Sequence, residues 1–143
     1  MKNKHEIRGI AFFAPPGWKV REVDELIEVV LPENEGALHI SFFQKENESA
    51  PKEDEAHTLI AEFAKNNGLV TSDEVSTSLL RDEARGFGRF HPRHSSDDVP
   101  AIWILASLVW PDRALQISYC TDTLESRTRA AVVSLIDSIR RSR

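Results

Sequence analysis

The strongest hydrophobic pattern in the chain covers residues 101–120, where two apolar stretches flank the turn-forming segment Trp110-Pro111-Asp112-Arg113. Proline suits the second position of a turn, so this pattern predicts an antiparallel hairpin. Its core face would hold Ile102, Ile104, Ala106, Leu108, Leu115, Ile117 and Tyr119. Its second face would hold Trp103, Leu105, Ser107, Val109, Ala114, Gln116, Ser118 and Cys120. Because both faces are too apolar for bare solvent, we predict a central hairpin that is covered on both sides.

Shorter apolar stretches predict further strands. They are Ile10–Ala14, Trp18–Val23, Leu26–Leu31, Ala37–Lys45, Val75–Leu80 and Arg85–His91. Leu26–Leu31 and Ala37–Lys45 would pair as a hairpin, with Gly36 free to take a positive φ in the turn. Gly86 and Gly88 alternate in the last of these strands. Their spacing indicates a strand that bends or packs closely against a helix.

Two stretches show the apolar spacing of amphipathic helices. The first, residues 52–67, has an apolar face of Ala56, Leu59, Ile60, Phe63 and Ala64. Its first turn is acidic, which suits the helix dipole, and Gly68 is a natural stop. The second is predicted to begin at an Asp122 cap, with Glu125 completing a capping box. It would end in a basic tail of Arg140, Arg141 and Arg143, which suits a helix C-terminus.

The element order is β-β-β-β-α-β-β-β-β-α and predicts an α+β fold in a single domain, residues 1–143. We expect a single antiparallel β-sheet of about six to eight strands flanked by two main helices, an α/β/α sandwich. The simplest packing places one helix on each face of the central hairpin. If both helices shared one face, Trp103, Leu105 and Val109 would be left for a partner.

Charge and cysteine content narrow the class of protein. The formal net charge of −5 disfavours nucleic acid and anionic membrane surfaces as partners. Cys120 is the only cysteine, so no internal disulfide forms. The sequence shows neither a signal peptide nor an apolar stretch long enough to cross a membrane. We therefore expect a cytoplasmic protein.

Candidate chemistry is sparse. The segment from His91 to Asp98 holds two histidines and two aspartates. Structural zinc sites, however, need four ligands at characteristic sequence intervals, which this segment lacks. A solvated loop is the preferred interpretation, and a metal-dependent hydrolase that uses this loop is an alternative. Cys120 has no catalytic motif around it and is interpreted as a small buried residue. We predict no catalytic, cofactor-binding or metal-binding residues.

Three segments resemble a known family: Phe12–Trp18, the hairpin Trp103–Cys120, and Leu135–Ile139. They are similar to the apolar-Pro-x-Gly-Trp start, the long hairpin and the closing helix of the Mog1/PsbP-like α/β/α sandwiches. The resemblance implies that fold. It also implies protein binding, because members include a partner of a nuclear small GTPase and bacterial adaptors or chaperones for secreted toxins.

We therefore predict a non-enzymatic protein-binding module of the bacterial adaptor, chaperone or toxin-neutralising type, with homodimerisation as an option. The partner would contact the sheet face around Trp103 or the acidic first hairpin. The predicted contact residues are Trp103, Leu105, Val109, Phe43, Glu28, Glu33 and Glu35. The alternative is a carrier of a small apolar ligand. Its pocket between sheet and helix would be lined by Trp18, Phe43, Trp103 and Trp110.

Overall fold

The computed structural model describes residues 2–142, so Arg143 of the predicted basic tail lies outside the described part. The helices are α1 (Glu53–Asn66) and α2 (Ser126–Ser138). The strands before α1 are β1 (Asn3–Ile7), β2 (Ile10–Ala14), β3 (Lys19–Val23), β4 (Leu26–Val30) and β5 (Ala37–Gln44). Those after α1 are β6 (Leu69–Thr71), β7 (Ser76–Leu80), β8 (Glu83–Pro92), β9 (Ile102–Val109), β10 (Arg113–Thr121) and β11 (Arg140–Arg141).

The strands form two antiparallel sheets. The larger has eight strands in the order β3-β4-β5-β10-β9-β8-β6, with β7 also paired to β8. The smaller has the order β1-β2-β11. The predicted α+β class is confirmed, and the large sheet has the predicted number of strands, but three further strands form a second, smaller sheet that was not predicted. Ile10–Ala14 pairs with β1 and β11 instead of joining the large sheet. Arg8 and Gly9, with φ of 52° and 81°, form the turn between β1 and β2.

The central hairpin has the predicted register. Leu108 faces Leu115 and Ala106 faces Ile117 across β9 and β10. The backbone N–H of Trp110 donates to the carbonyl of Arg113 over 2.8 Å. Strands β5 and β8 pair with its outer edges, so the hairpin lies in the middle of the large sheet.

One face of this hairpin forms the main core. Ile104 and Leu108 pack there with Val132 and Leu135 of α2 and with Phe12 of the small sheet. Each of these five side chains is at most 1% exposed. The layer that covers this face is therefore made of α2 together with the small sheet.

The opposite face packs against α1. Leu105 clusters with Ile60 of the helix, and Val109 clusters with Ala56. The hydroxyl of Ser107 donates to the Ala56 carbonyl over 2.7 Å. The two helices thus lie on opposite faces of the hairpin, as the simplest packing predicted.

The close approach of α1 explains one of the two glycines of β8, Gly86. A Cβ on Gly86 would lie 2.9 Å from Cδ1 of Ile60 and 3.2 Å from the Ala56 carbonyl oxygen. A side chain at this position would therefore push the helix outwards. Packing of this strand against a helix was predicted.

The start of α2 differs from the prediction. The helix begins at Ser126, and Glu125 is the N-cap residue without a side-chain hydrogen bond. The predicted Asp122 cap was wrong because the chain is still turning there: the Thr121 hydroxyl donates to the Thr123 carbonyl over 3.0 Å. A capping box needs its acid three residues inside the helix, and here that acid stands at the boundary.

The basic tail is also placed differently. Helix α2 ends at Ser138, and Arg140–Arg141 pair with Ala11 and Ile10 as the third strand of the small sheet. The carbonyls at the end of the helix are bound by two arginines: Nη2 of Arg85 donates to Ile139 over 2.7 Å, and Nη1 of Arg140 donates to Asp137 over 2.6 Å. The tail therefore belongs to a sheet and does not extend the helix.

Candidate functional site

Helix α1 covers only part of its sheet face. It packs chiefly on β8 and β9, while the side chains of β4 and β5 on the same face, together with Ser118 and Cys120 of β10, stay partly exposed. Along one row of that face, the register places Glu28 beside His39 and His39 beside Ser118. Phe43 lies further along β5, opposite Ala114. A half-open sheet surface therefore adjoins the helix.

A groove runs between α1 and β5 at the apolar end of this surface. It encloses about 350 Å³, within the range of small binding sites. Its lining residues, which we call the helix groove, are Phe43, Lys45, Asp54, Glu55, Thr58, Leu59, Val109 and Ala114. Val109 and Ala114 are buried and form the floor, whereas Phe43 is 46% exposed and forms a wall. The groove thus offers apolar surface that the fold itself leaves uncovered.

The rim of the helix groove carries charge. Lys45 pairs with Glu55 at 3.2 Å and also donates to the carbonyls of Ser49 and Trp110. These contacts hold its ammonium group against the protein. Asp54 forms no salt bridge with any residue that the structure describes. The uncompensated charge at the rim is therefore negative.

At the polar end of the open surface, Glu28 joins Arg21 to His39. Nε of Arg21 lies 2.6 Å from one carboxylate oxygen, and Nε2 of His39 lies 3.0 Å from the other. The hydrogen bond with His39, followed by that with Arg21, holds the pKa of Glu28 below its ordinary value. Glu28 is therefore a paired carboxylate and not a proton donor at neutral pH.

Two of the predicted partner-binding residues are inaccessible. Leu105 and Val109 are 0% and 1% exposed because α1 packs on this part of the face, so their prediction as surface contacts was wrong. Val109 still lines the floor of the helix groove. Trp103 is half-buried against Phe63, and its indole N–H donates to the carbonyl of Pro100. Trp103 therefore borders α1 but does not stand free.

The three predicted acidic contact residues, Glu28, Glu33 and Glu35, make different contacts. Glu33 is exposed, and Glu28 is paired as described above. The carboxylate of Glu35 accepts a hydrogen bond from the Thr128 hydroxyl, and its backbone carbonyl accepts one from Tyr119. Glu35 thus ties the β4–β5 turn to α2, and the three acids do not form one surface.

The tryptophans that were predicted to line a ligand pocket pack in other parts of the structure. Trp110 is 2% exposed in the main core, where its indole N–H donates to Glu83 over 2.9 Å. Trp18 packs on the edge of the same core. Of the four aromatic residues predicted to line a pocket, only Phe43 lines the helix groove.

The segment from His91 to Asp98 does not gather its polar side chains. His91, His94, Asp97 and Asp98 are all exposed, and Nδ1 of His91 lies 2.8 Å from the Ser72 hydroxyl. Within residues 2–142, no three His, Cys, Asp or Glu side chains are placed to hold a metal ion. The geometry of this loop gives no support to a hydrolytic metal centre.

Cys120 is half-buried on the second face of the hairpin. Burial, followed by the nearby charge of Asp122, raises the pKa of its thiol. Since the thiolate is the nucleophilic form, this environment makes Cys120 unreactive at neutral pH.

Sequence reasoning missed the helix side of the groove. Leu59 was predicted as part of the apolar stripe of α1, and Asp54 as part of its acidic first turn. The available signal was that Leu59 lies at the edge of the stripe, where a side chain is only half covered. Its proximity to Phe43 depends on how far along the sheet the helix sits, and no local pattern encodes that position.

Comparisons with known proteins add a fold-level neighbour. No protein-family model matches the chain, and no curated protein sequence matches it. A crystal structure from Bacteroides thetaiotaomicron superposes with a TM-score of 0.54 at 12% sequence identity. The match covers 94% of this chain and 46% of the other, so this chain spans about half the length of that protein. This likeness supports the fold alone. Among the described residues, neither helix has the length and apolar character needed to cross a membrane.

Proposed function

We propose that this chain is a non-enzymatic, cytoplasmic protein-binding module of the adaptor or chaperone type, with the helix groove as its docking site. The observation that carries the proposal is Phe43, which is 46% exposed beside a buried apolar floor. Exposed aromatic residues next to a concave apolar surface are typical anchors of protein interfaces. The resemblance to the Mog1/PsbP-like family, whose members mostly bind proteins, supports the same interpretation.

The groove also suggests the chemistry of the partner. Its floor and the wall made by Phe43 and Leu59 suit an apolar side chain. The free carboxylate of Asp54 on the rim favours a lysine or arginine next to that anchor. The net charge of −5 would accelerate encounter with a basic segment and disfavour nucleic acid. We therefore propose a partner segment that combines an apolar anchor with a basic residue.

A photo-crosslinking experiment tests this proposal. A photoreactive phenylalanine analogue at position 43, introduced in the native host, should crosslink one defined protein. The same analogue at position 13 is the matched control, since Phe13 is 41% exposed but belongs to the small sheet. Asp54→Lys should then abolish the crosslink at position 43. Identical products from both positions, or a product that survives Asp54→Lys, would contradict the proposal.

A small apolar ligand is the second candidate, favoured by the volume of the helix groove, about 350 Å³. Native mass spectrometry of the purified protein distinguishes the two. A carrier would retain a bound molecule, and Leu59→Trp, which fills the groove, would remove that mass. A protein partner would leave the purified chain without added mass.

A further inference from the structure

A second cavity lies at the end of β5, on the other side of Phe43 from the helix groove. It encloses about 450 Å³ and is lined by Arg8, Phe42, Phe43, Gln44 and Arg113, which we call the arginine pocket. Two of its five lining residues are arginines, although the chain as a whole is acidic. It shares Phe43 with the helix groove but none of the other lining residues, and the inference below does not rest on the function proposed above.

The two guanidinium groups are held on one aromatic ring. The Cζ atoms of Arg8 and Arg113 each lie 5.0 Å from the centroid of Phe42. Nη2 of Arg113 donates to the backbone carbonyl of Arg8 over 2.7 Å. Stacking on the ring orients both side chains, and the hydrogen bond further restrains that of Arg113, so a ligand would have less to order.

The positive charge of the pocket is only partly neutralised. Arg113 pairs with no carboxylate among residues 2–142, because the neighbouring Asp112 is bound by Arg141 at 3.0 Å. Arg8 has only a loose, exposed pairing with Glu22 at 3.6 Å. Nε of Arg113 is buried and has no hydrogen-bond acceptor in the described part of the chain. A buried donor without an acceptor is costly, and a negative charge beside the accessible part of the guanidinium would offset part of that cost electrostatically.

The electrostatic setting of Arg113 agrees with this geometry. Burial, followed by the positive charge of Arg141, lowers the pKa of its guanidinium, and Asp112 only partly offsets this. An additional negative charge is therefore favoured beside it.

We propose that the arginine pocket binds the oxyanion group of a small organic anion, with the phosphate or carboxylate between Arg8 and Arg113. Guanidinium groups recognise both kinds of oxyanion through charge-assisted hydrogen bonds. The exposed ring of Phe43 offers an apolar surface for the body of the ligand. The ligand is thus an anion with an apolar part, small enough for this cavity.

Titration with simple probes tests the proposal. Inorganic phosphate and acetate are added at constant ionic strength, with chloride as the reference, and the arginine Nε–Hε signals are followed by NMR. We expect a saturable shift of the Arg113 signal with one or both probes, and the tighter probe identifies the preferred oxyanion. The absence of a saturable shift with both probes would overturn the proposal.

Arg8→Asn is the informative variant because it removes a guanidinium without removing the turn. Asparagine followed by glycine is favoured where both residues have positive φ, so the variant should fold. Its affinity for the better probe should fall about tenfold, the loss of one charged hydrogen bond. Arg127→Asn removes the same charge from the exposed face of α2 and should leave the affinity unchanged. Equal losses in the two variants would show a general charge effect and refute the site.

Discussion

Gly86→Ala should destabilise the protein by forcing α1 away from the sheet. The new methyl carbon would lie 2.8 Å from the Ser107 hydroxyl oxygen and 2.9 Å from Cδ1 of Ile60. Both distances are shorter than a Cβ tolerates, and the Ala56 carbonyl lies only 3.2 Å away. Ser107 cannot simply rotate aside, because its hydroxyl donates to that same carbonyl over 2.7 Å. The strain therefore falls on the docking of the helix.

The expected magnitude combines three effects. Overpacking of a well-packed site costs about 1–3 kcal/mol. Weakening of the buried hydrogen bond from Ser107 adds up to about 1.5 kcal/mol. Replacing a glycine within a strand stabilises the folded state by about 0.5–1 kcal/mol, because the unfolded chain loses conformational freedom. Together these ranges lower the free energy of unfolding by about 0–4 kcal/mol, and we expect a loss near the middle of that range, about 2 kcal/mol.

Urea denaturation followed by circular dichroism measures this difference. Gly88→Ala is the matched control: its methyl group would meet Phe90 and Val75 at 2.9 and 3.1 Å, which are side-chain atoms, and it would meet neither the backbone of α1 nor the Ser107 hydrogen bond. We expect a smaller loss there.

A double variant that combines Gly86→Ala with Ile60→Val lacks the Cδ1 atom of Ile60, which is one of the atoms that the new methyl group would clash with. The double variant should then lose about 0.5–1 kcal/mol less than the sum of the single losses. A Gly86→Ala protein as stable as the wild type, or strictly additive losses in the double variant, would refute the proposed clash.

Three further predictions concern single residues outside the helix groove. Arg8→Asn should not lower the melting temperature, since asparagine tolerates the positive φ of 52° at this position; a lower value in calorimetry would contradict this. Burial raises the pKa of Glu83, but hydrogen bonds from Arg85 and Trp110 outweigh it and the net pKa is lowered. The resulting stabilisation is fully present above the ordinary glutamate pKa of about 4.3 and disappears as the pH falls further. Glu83→Gln should therefore cost about 1–3 kcal/mol at neutral pH and less in acid, measured by urea unfolding; a cost independent of pH would contradict it. Cys120 should react with iodoacetamide far more slowly than an exposed thiol at neutral pH, and equal rates in a mass-spectrometric time course would contradict the burial of its thiol.

The large sheet was predictable where the pattern of side chains was strong. The alternation through β9 and β10 implied both the pairing of Leu108 with Leu115 and the need for cover on each face. The stripe of α1 placed that helix within one residue at each end. In these segments, local preference and tertiary packing agree, and a sequence pattern can then be interpreted reliably.

The small sheet was not predictable from such patterns. Asn3–Ile7 is mostly polar and exposed, and Arg140–Arg141 is too short to show a period. Both strands exist because they pair with β2, whose apolar side chains pack on the main core. Their conformation is imposed by a neighbour and has no apolar alternation of its own.

The candidate site depends on a quantity that no local pattern contains, which is the position of α1 across its sheet face. The alternation of side chains placed Val109 on the second face of the hairpin, but it did not show which half of that face the helix covers. Contact at Gly86 decides this, because only a residue without a side chain lets the helix come so close. The helix then buries Leu105 and leaves Phe43 exposed beside Leu59.

This dependence links stability to the proposed binding in a testable way. Gly86→Ala should widen the helix groove and weaken the crosslink at Phe43 even under conditions where the variant is fully folded. Arg8→Asn changes the other side of Phe43 and should leave that crosslink intact while it weakens anion binding. If both variants affected both readouts equally, the two sites would be one surface, and the separation argued from their lining residues would be wrong.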